Sequence, residues 1–279
     1  INATNSKGQT PLQICFINFQ QAHKKIVTML INAGADITFR NEQGKTLLHL
    51  AILYRIHDLI DYLLQQKNLS LNDIDSNKNT ALHVALLQNN IDCAKKLIKA
   101  GADIFCVNDQ GDTPLHLAAS NNLVSIVDLL IARGACVNAI NSEGETPLMK
   151  ALNSKHLNKD SQRKLIHAGT DLSIGNKDGD TPLHIAASKN MALTIALLLK
   201  RGAQLDATNL AGETPLQTAL GKGNAYAVKL LAKAGSNNAM ACGASSSRCQ
   251  FPLVKTLFMP EINDVTSENT PAIAANSLS

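Results

Sequence analysis

The chain has 279 residues, 45% apolar but only 3% aromatic and without tryptophan, so it can bury a core yet offers little for stacking bases or sugars. Its 26 basic and 22 acidic residues leave a net charge of +4, too mild and too interspersed for a nucleic-acid or membrane surface. Six cysteines with no Cys-x-x-Cys pair argue against a zinc cluster and read as small core residues of a reducing compartment, and no apolar run approaches a membrane span.

A heptapeptide from Thr113 to Ala119, Thr-Pro-Leu-His-Leu-Ala-Ala, returns almost unchanged at Thr181 to Ala187. Degenerate copies align on Thr10, Thr46, Thr80, Thr113, Thr146, Thr181 and Thr214, spaced 33 to 36 residues apart. A glycine followed by a small residue recurs 21 positions after the threonine at Gly101, Gly134, Gly202 and Gly235, with Gly34 and Gly169 marking the same place in longer units. Seven units sharing such a period bury their faces only against one another.

The first unit opens on Asn5-Ser6-Lys7-Gly8 and carries extra residues from Phe16 to His23. Because the chain starts at Ile1 rather than methionine, further repeats or another domain are expected upstream. The second unit ends in Gln66-Lys67-Asn68-Leu69-Ser70, without the glycine landmark, and the third opens on Asp75-Ser76-Asn77-Lys78-Asn79, with lysine where the turn glycine belongs. If that turn keeps its shape, Lys78 takes positive φ at a cost of about 1 kcal/mol. Both faults fall on one junction, which is expected to be the most irregular and the most easily opened.

The fourth unit is the clearest. Asn108 to Asp112 reads as a tight turn through Gly111, Thr113 caps a short helix, and Pro114 occupies its first position, where a missing N–H costs nothing. Leu115, Ala118 and Ala119 give that helix a lean inner face, and Asn121-Asn122 ends it in a left-handed residue. A second helix follows on the apolar band Val124, Ile126, Val127, Leu129, Leu130 and Ile131, until Gly134 stops it. One histidine at the same place in four units, His49, His83, His116 and His184, implies a structural hydrogen bond rather than a ligand set.

The fifth unit has extra residues at Asn153 to Lys159, and Lys155, His156, Lys159, Arg163 and Lys164 there form the strongest basic cluster, read as a solvated helix face. The seventh carries Gly221 and Gly223 between its helices, which lowers helix stability. From Ser236 to Ser279 the chain turns rich in Ser, Asn, Ala and Pro and is expected to be mostly disordered. An apolar island at Phe251 to Met259 within it reads equally as a strap on the last unit or as a docking motif.

The period, the Thr-Pro-Leu-His motif and the glycine landmark together resemble the ankyrin repeat over residues 1–235. The resemblance implies an all-α solenoid of stacked helix-turn-helix units with projecting β-hairpin-like loops. It implies, too, a non-catalytic scaffold that binds a partner protein on loop tips and first helices. Mapped here, those places are Asp109, Gln110, Asp112, Glu143, Glu145, Asp178 and Asp180 on the tips and Asn121, Ser188 and Lys189 on first helices. Three successive tips carry two acids each, whereas second helices collect Lys95, Lys96, Lys99, Lys200, Arg201, Lys229 and Lys233. The expected partner is therefore a protein with a basic surface, bound by a cytoplasmic monomer that needs no cofactor or metal and contacts neither nucleic acid nor membrane. No Gly-rich phosphate loop, Gly-x-Ser-x-Gly elbow or His-Glu-x-x-His helix suggests chemistry. The alternatives are the targeting module of a larger enzyme and a secreted microbial effector acting on host proteins. Hydrogen exchange checks the weak junction: residues flanking Lys78 are predicted to exchange faster than their counterparts in the fourth unit.

Overall fold

The computed structural model describes residues 1–17, 23–66, 69–155 and 159–241, of which Ile1–Ser236 belong to one compact unit. Its described helices form seven pairs: α1 (Pro11–Ile17) and α2 (His23–Asn32), α3 (Leu47–Leu53) and α4 (His57–Leu64), α5 (Ala81–Leu87) and α6 (Ile91–Lys99), α7 (Pro114–Ser120) and α8 (Val124–Ala132), α9 (Pro147–Asn153) and α10 (Asp160–His167), α11 (Pro182–Ser188) and α12 (Ala192–Lys200), α13 (Pro215–Gly221) and α14 (Ala225–Ala241). The all-α stack matches the expectation. Antiparallel bridges Arg40 to Thr46 and Ile74 to Thr80 give two of the connecting loops their hairpin character.

Each first helix is short because both ends are specified. From Thr46 onward, the threonines before α3, α5, α7, α9, α11 and α13 hold extended backbone, with φ between −74° and −83°, as helix caps require. The other end closes on a left-handed residue at one register position, occupied by Arg55, Asn89, Asn122, Asn190 and Gly223. The fifth unit differs: α9 ends on Ser154, whose backbone is extended. The centres of both insertions, residues 18–22 and 156–158, lie outside the described chain.

First helices are sandwiched between neighbours and are buried almost all round, as α7 is from Pro114 to Ala119. One column makes this possible: Ala51, Ala85, Ala118, Ala151, Ala186 and Ala219 are at most 1% exposed and let successive helices approach closely. Second helices are amphipathic and bury one stripe, such as Ile126, Val127 and Leu130 of α8. Each fully buried leucine on these stripes contributes about 2 kcal/mol. In the last unit α14 runs through Gly235 instead of stopping there, so this glycine does not repeat the role of Gly134. The apolar island at 251–259 lies outside the described residues.

Two bonds clamp every regular junction. The N–H of one hairpin tip donates to the carbonyl of the tip before it, in Ser76 to Gln43, Asp109 to Asn77, Ser142 to Gln110, Lys177 to Glu143 and Leu210 to Asp178, at 2.9 to 3.0 Å. Deeper in, Nε2 of His49, His83, His116 and His184 meets the carbonyl of Asn79, Asp112, Glu145 and Glu213 in the next unit at 2.9 to 3.1 Å. Nδ1 of each ring accepts from the N–H of its own capping threonine, at 3.1 to 3.3 Å. The proton must therefore sit on Nε2, where it donates across the junction.

The junction between the second and third units keeps both clamps, and Lys78 holds the turn by adopting φ of 56°. Irregularity is confined to the end of α4, whose cap Gln65 is right-handed and where no left-handed glycine reverses the chain. The histidine clamp is instead missing where Met149 replaces it in the fifth unit and where Gln13 in the first turns its Oε1 back to the N–H of Thr10.

Two outcomes follow from these clamps. Gly111 has φ of +71°, and a Cβ there would lie 2.7 Å from the Ser142 amide nitrogen, whereas at Gly212, φ +75°, a Cβ meets nothing. Gly111→Ala should therefore lower unfolding free energy by about 2 kcal/mol or more and Gly212→Ala by only about 1 kcal/mol, read from urea titrations. Burial lowers the pKa of His49, His83 and His116 below the ordinary value, since a ring proton on Nδ1 would face a donor. The unfolded chain thus binds more protons below about pH 6.5. Stability is fully present above that pH and should fall as pH drops through the lowered pKa values, and His83→Gln should flatten the slope.

Candidate functional site

The projecting tips are built by one side chain. In every unit the residue five before the threonine is Asn or Asp: Asn5, Asn41, Asp75, Asn108, Asn141, Asn176 and Asn209. Its Oδ1 accepts from the N–H groups two and four residues on, as Asn141 does from Glu143 and Glu145 at 2.9 Å. The same two bonds form in all seven turns. Each tip is thus stapled internally before it stacks on its neighbours.

On this frame the six predicted acids fall into two rows. Asp112, Glu145 and Asp180 stand directly before their threonines and are absorbed by the stack. Asp112 is 0% exposed, accepts from Asn141 Nδ2 at 2.8 Å and pairs with Lys150 Nζ at 2.8 Å, so its place among partner contacts is corrected to a structural one. A carboxylate buried there needs both partners to offset its lost hydration. Asp180 is half-buried and accepts from Asn209 Nδ2 at 2.8 Å, and Glu145 from Asn153 Nδ2 at 2.5 Å.

Asp109, Glu143 and Asp178 occupy the exposed row with Gln110. It is not purely acidic, because Lys78 pairs with Asp109 at 3.4 Å and Lys177 with Glu143 at 3.3 Å. All four side chains are well exposed, so each pair is worth about 0 to 1 kcal/mol and is readily exchanged. Asp178 makes no side-chain bond among the described residues.

The first-helix positions line the surface next to the inner row. Asn121 Nδ2 donates to the Leu86 carbonyl at 3.0 Å, and Ser188 Oγ to the Ile185 carbonyl at 2.9 Å. Lys189 Nζ reaches the Leu152 carbonyl at 3.2 Å, with its pKa lowered by partial burial and by Lys159. Lys150 and Asn153, missed by sequence reasoning, complete this surface through Asp112 and Glu145. The signal for Lys150 was present, since an acid before the threonine lies beside the first helix of the next unit, whereas Asn153 meets the acid of its own unit.

Two members of the fifth unit's basic cluster are paired, Arg163 with Asp160 at 3.4 Å and Lys164 with Asp128 of the fourth unit at 2.9 Å, while His156 lies outside the described residues. Among the described residues Cys15, Cys93, Cys106 and Cys136 are free thiols, and burial raises the pKa of Cys93 to about 12. The described residues contain no group of three or more His, Cys, Asp or Glu able to hold a metal and no helix long and apolar enough to cross a membrane.

A family model described as ankyrin repeats matches three times, at residues 19–108, 97–159 and 157–241. The NF-kappa-B p105 subunit of Gallus gallus is 33% identical over 106 residues, covering 37% of this chain and 10% of that protein. Ankyrin repeat protein OPG189 of Variola virus is 26% identical over 108 residues, covering 37% of this chain and 19% of its own. A putative palmitoyltransferase, ZDHHC13, of Danio rerio is 29% identical over 126 residues, or 33% and 20%. The matches thus span a tenth to a fifth of these relatives.

The two rows of acids should separate in stability measurements. Asp112→Ala leaves Lys150 and Asn141 without their buried acceptor and should cost about 2 to 3 kcal/mol in chemical denaturation, whereas Asp178→Lys should change stability by less than about 0.5 kcal/mol.

Proposed function

Because the chain belongs to the ankyrin-repeat family, whose arrays generally mediate protein–protein interaction, we propose that it is a non-catalytic scaffold gripping a partner protein across units four to six. The contact runs over the exposed tips at Asp109, Gln110, Glu143 and Asp178 and onto the first-helix surface at Asn121, Ser188 and Lys189. The observation that carries this reading is the pairing of a locked backbone with replaceable side-chain partners. Tip amides and Asn staples hold the tips before any partner arrives, which limits the ordering cost of binding. The tip carboxylates, in turn, are free or held only by exposed lysines.

The partner is a protein with a basic or donor-rich surface, able to displace Lys78 and Lys177 from the tip acids. The array acts as a monomer, and its free thiols fit a reducing compartment such as the cytoplasm. A second reading, the targeting array of a larger protein, is favoured by how little of each relative the match covers, the putative palmitoyltransferase among them.

The test is affinity capture from lysate with residues 1–241 beside the triple variant Asp109→Lys, Glu143→Lys, Asp178→Lys, both checked by circular dichroism. A partner retained by the parent and lost from the variant is the expected result. Equal capture by both would remove the tips from the binding site.

A further inference from the structure

On the outer face of the stack, formed by second helices, two of the junctions are braced by an ion pair and the first is not. Asp61 of α4 pairs with Lys96 of α6, and Asp128 of α8 pairs with Lys164 of α10, each bridging neighbouring units at the same register. Carried to the first junction, that register places Thr28 on α2 and Tyr62 on α4, which form no ion pair. In place of such a pair lies an open groove of about 520 Å³ between α2 and α4, lined by Lys24, Lys25, Thr28, Met29, Arg55, Ile56, His57 and Asp58.

Its charge is one-sided. Lys24, Lys25, Arg55 and His57 face a single acid, Asp58, and none of these four basic side chains forms an ion pair among the described residues. Arg55, whose left-handed backbone has φ 54°, donates to the Gln88 carbonyl of the third unit at 3.0 Å, so its guanidinium is tied across the next junction and Lys24 and Lys25 are the groove's untethered cations. The comparable cleft between α8 and α10 has its cations neutralised by Asp128 and Asp160. The floor of the first groove is apolar, with Ile56 buried beneath and Met29 71% exposed. Such a methionine is an adaptable anchor for a partner side chain.

We propose that this groove is a second docking site, distinct from the tips, for a short acidic peptide segment of a partner protein carrying an apolar residue. Its carboxylates engage Lys24 and Lys25, and its apolar side chain covers Met29. Nucleic acid is disfavoured because no Phe, Tyr or Trp lines the groove to stack a base, and a flat membrane surface because the cations line a concavity.

The probe is a fluorescein-labelled decapeptide of alternating Glu and Leu, read by anisotropy against the full chain, with its Gln-for-Glu counterpart as control. The acidic peptide should bind, weaken with added salt, and lose at least about tenfold in affinity to the variant Lys24→Glu, Lys25→Glu. Lys229→Glu, Lys233→Glu, an identical charge change on α14, should cost less than about twofold. Met29→Asp, with unchanged circular dichroism and the same thermal midpoint, should weaken binding on its own. No binding of the acidic peptide, equal loss in both charge variants, or tighter binding of single-stranded oligonucleotide or phosphatidylserine vesicles at the same lysines would overturn the proposal.

Discussion

A backbone hydrogen bond from one hairpin tip to the next, repeated at five junctions, is the constraint on which the remaining features rest. It forms only if the tips lie almost in contact, so close at Gly111 that a Cβ would strike the following amide, although at Lys78 the same position carries a side chain with the bond intact. The tip can be so tight because an Asn or Asp side chain has already satisfied two of its N–H groups. The histidine bond lies beneath as a second clamp, and its ring orientation is set by the threonine that also starts the helix. Cap, turn and junction are therefore one coupled device, and the alanine column completes it by letting the helices follow the tips to the same spacing.

Much of this was legible in the sequence because the device repeats. Thr113, Gly111, His116 and Asn122 each recur at fixed register, and a residue type that recurs across units announces a role in the unit itself. Lys78 was legible for the opposite reason: its departure from the pattern forecast the positive φ it adopts. The forecast of an irregular second junction succeeded only at the end of α4, because a lysine backbone can be held in the left-handed region by the two clamps around it.

The site was harder to read. Asp112 and Asp109 sit three residues apart in one turn and look alike in sequence, yet one is sealed between Asn141 and Lys150 and the other stands in solvent. What separates them is the neighbouring unit, which supplies the partners from 29 and 38 residues away. The outer groove was invisible for a related reason. Its lining is gathered from two units, Lys24 to Met29 on α2 and Arg55 to Asp58 at the start of α4. The stack thus uses the polar groups of its inner row for cohesion and leaves the outermost tip residues exposed.

Amide hydrogen exchange at the tips tests this arrangement most directly. The donor amides of Ser76, Asp109, Ser142, Lys177 and Leu210 all belong to exposed residues, so burial alone would not protect them. If the tip ladder holds the stack, these five amides exchange far more slowly than free peptide, and Gly111→Ala strips protection first from Ser142. Exchange of all five at free-peptide rates would show that the tips are not locked, and that the presentation of Asp109, Glu143 and Asp178 owes nothing to the ladder.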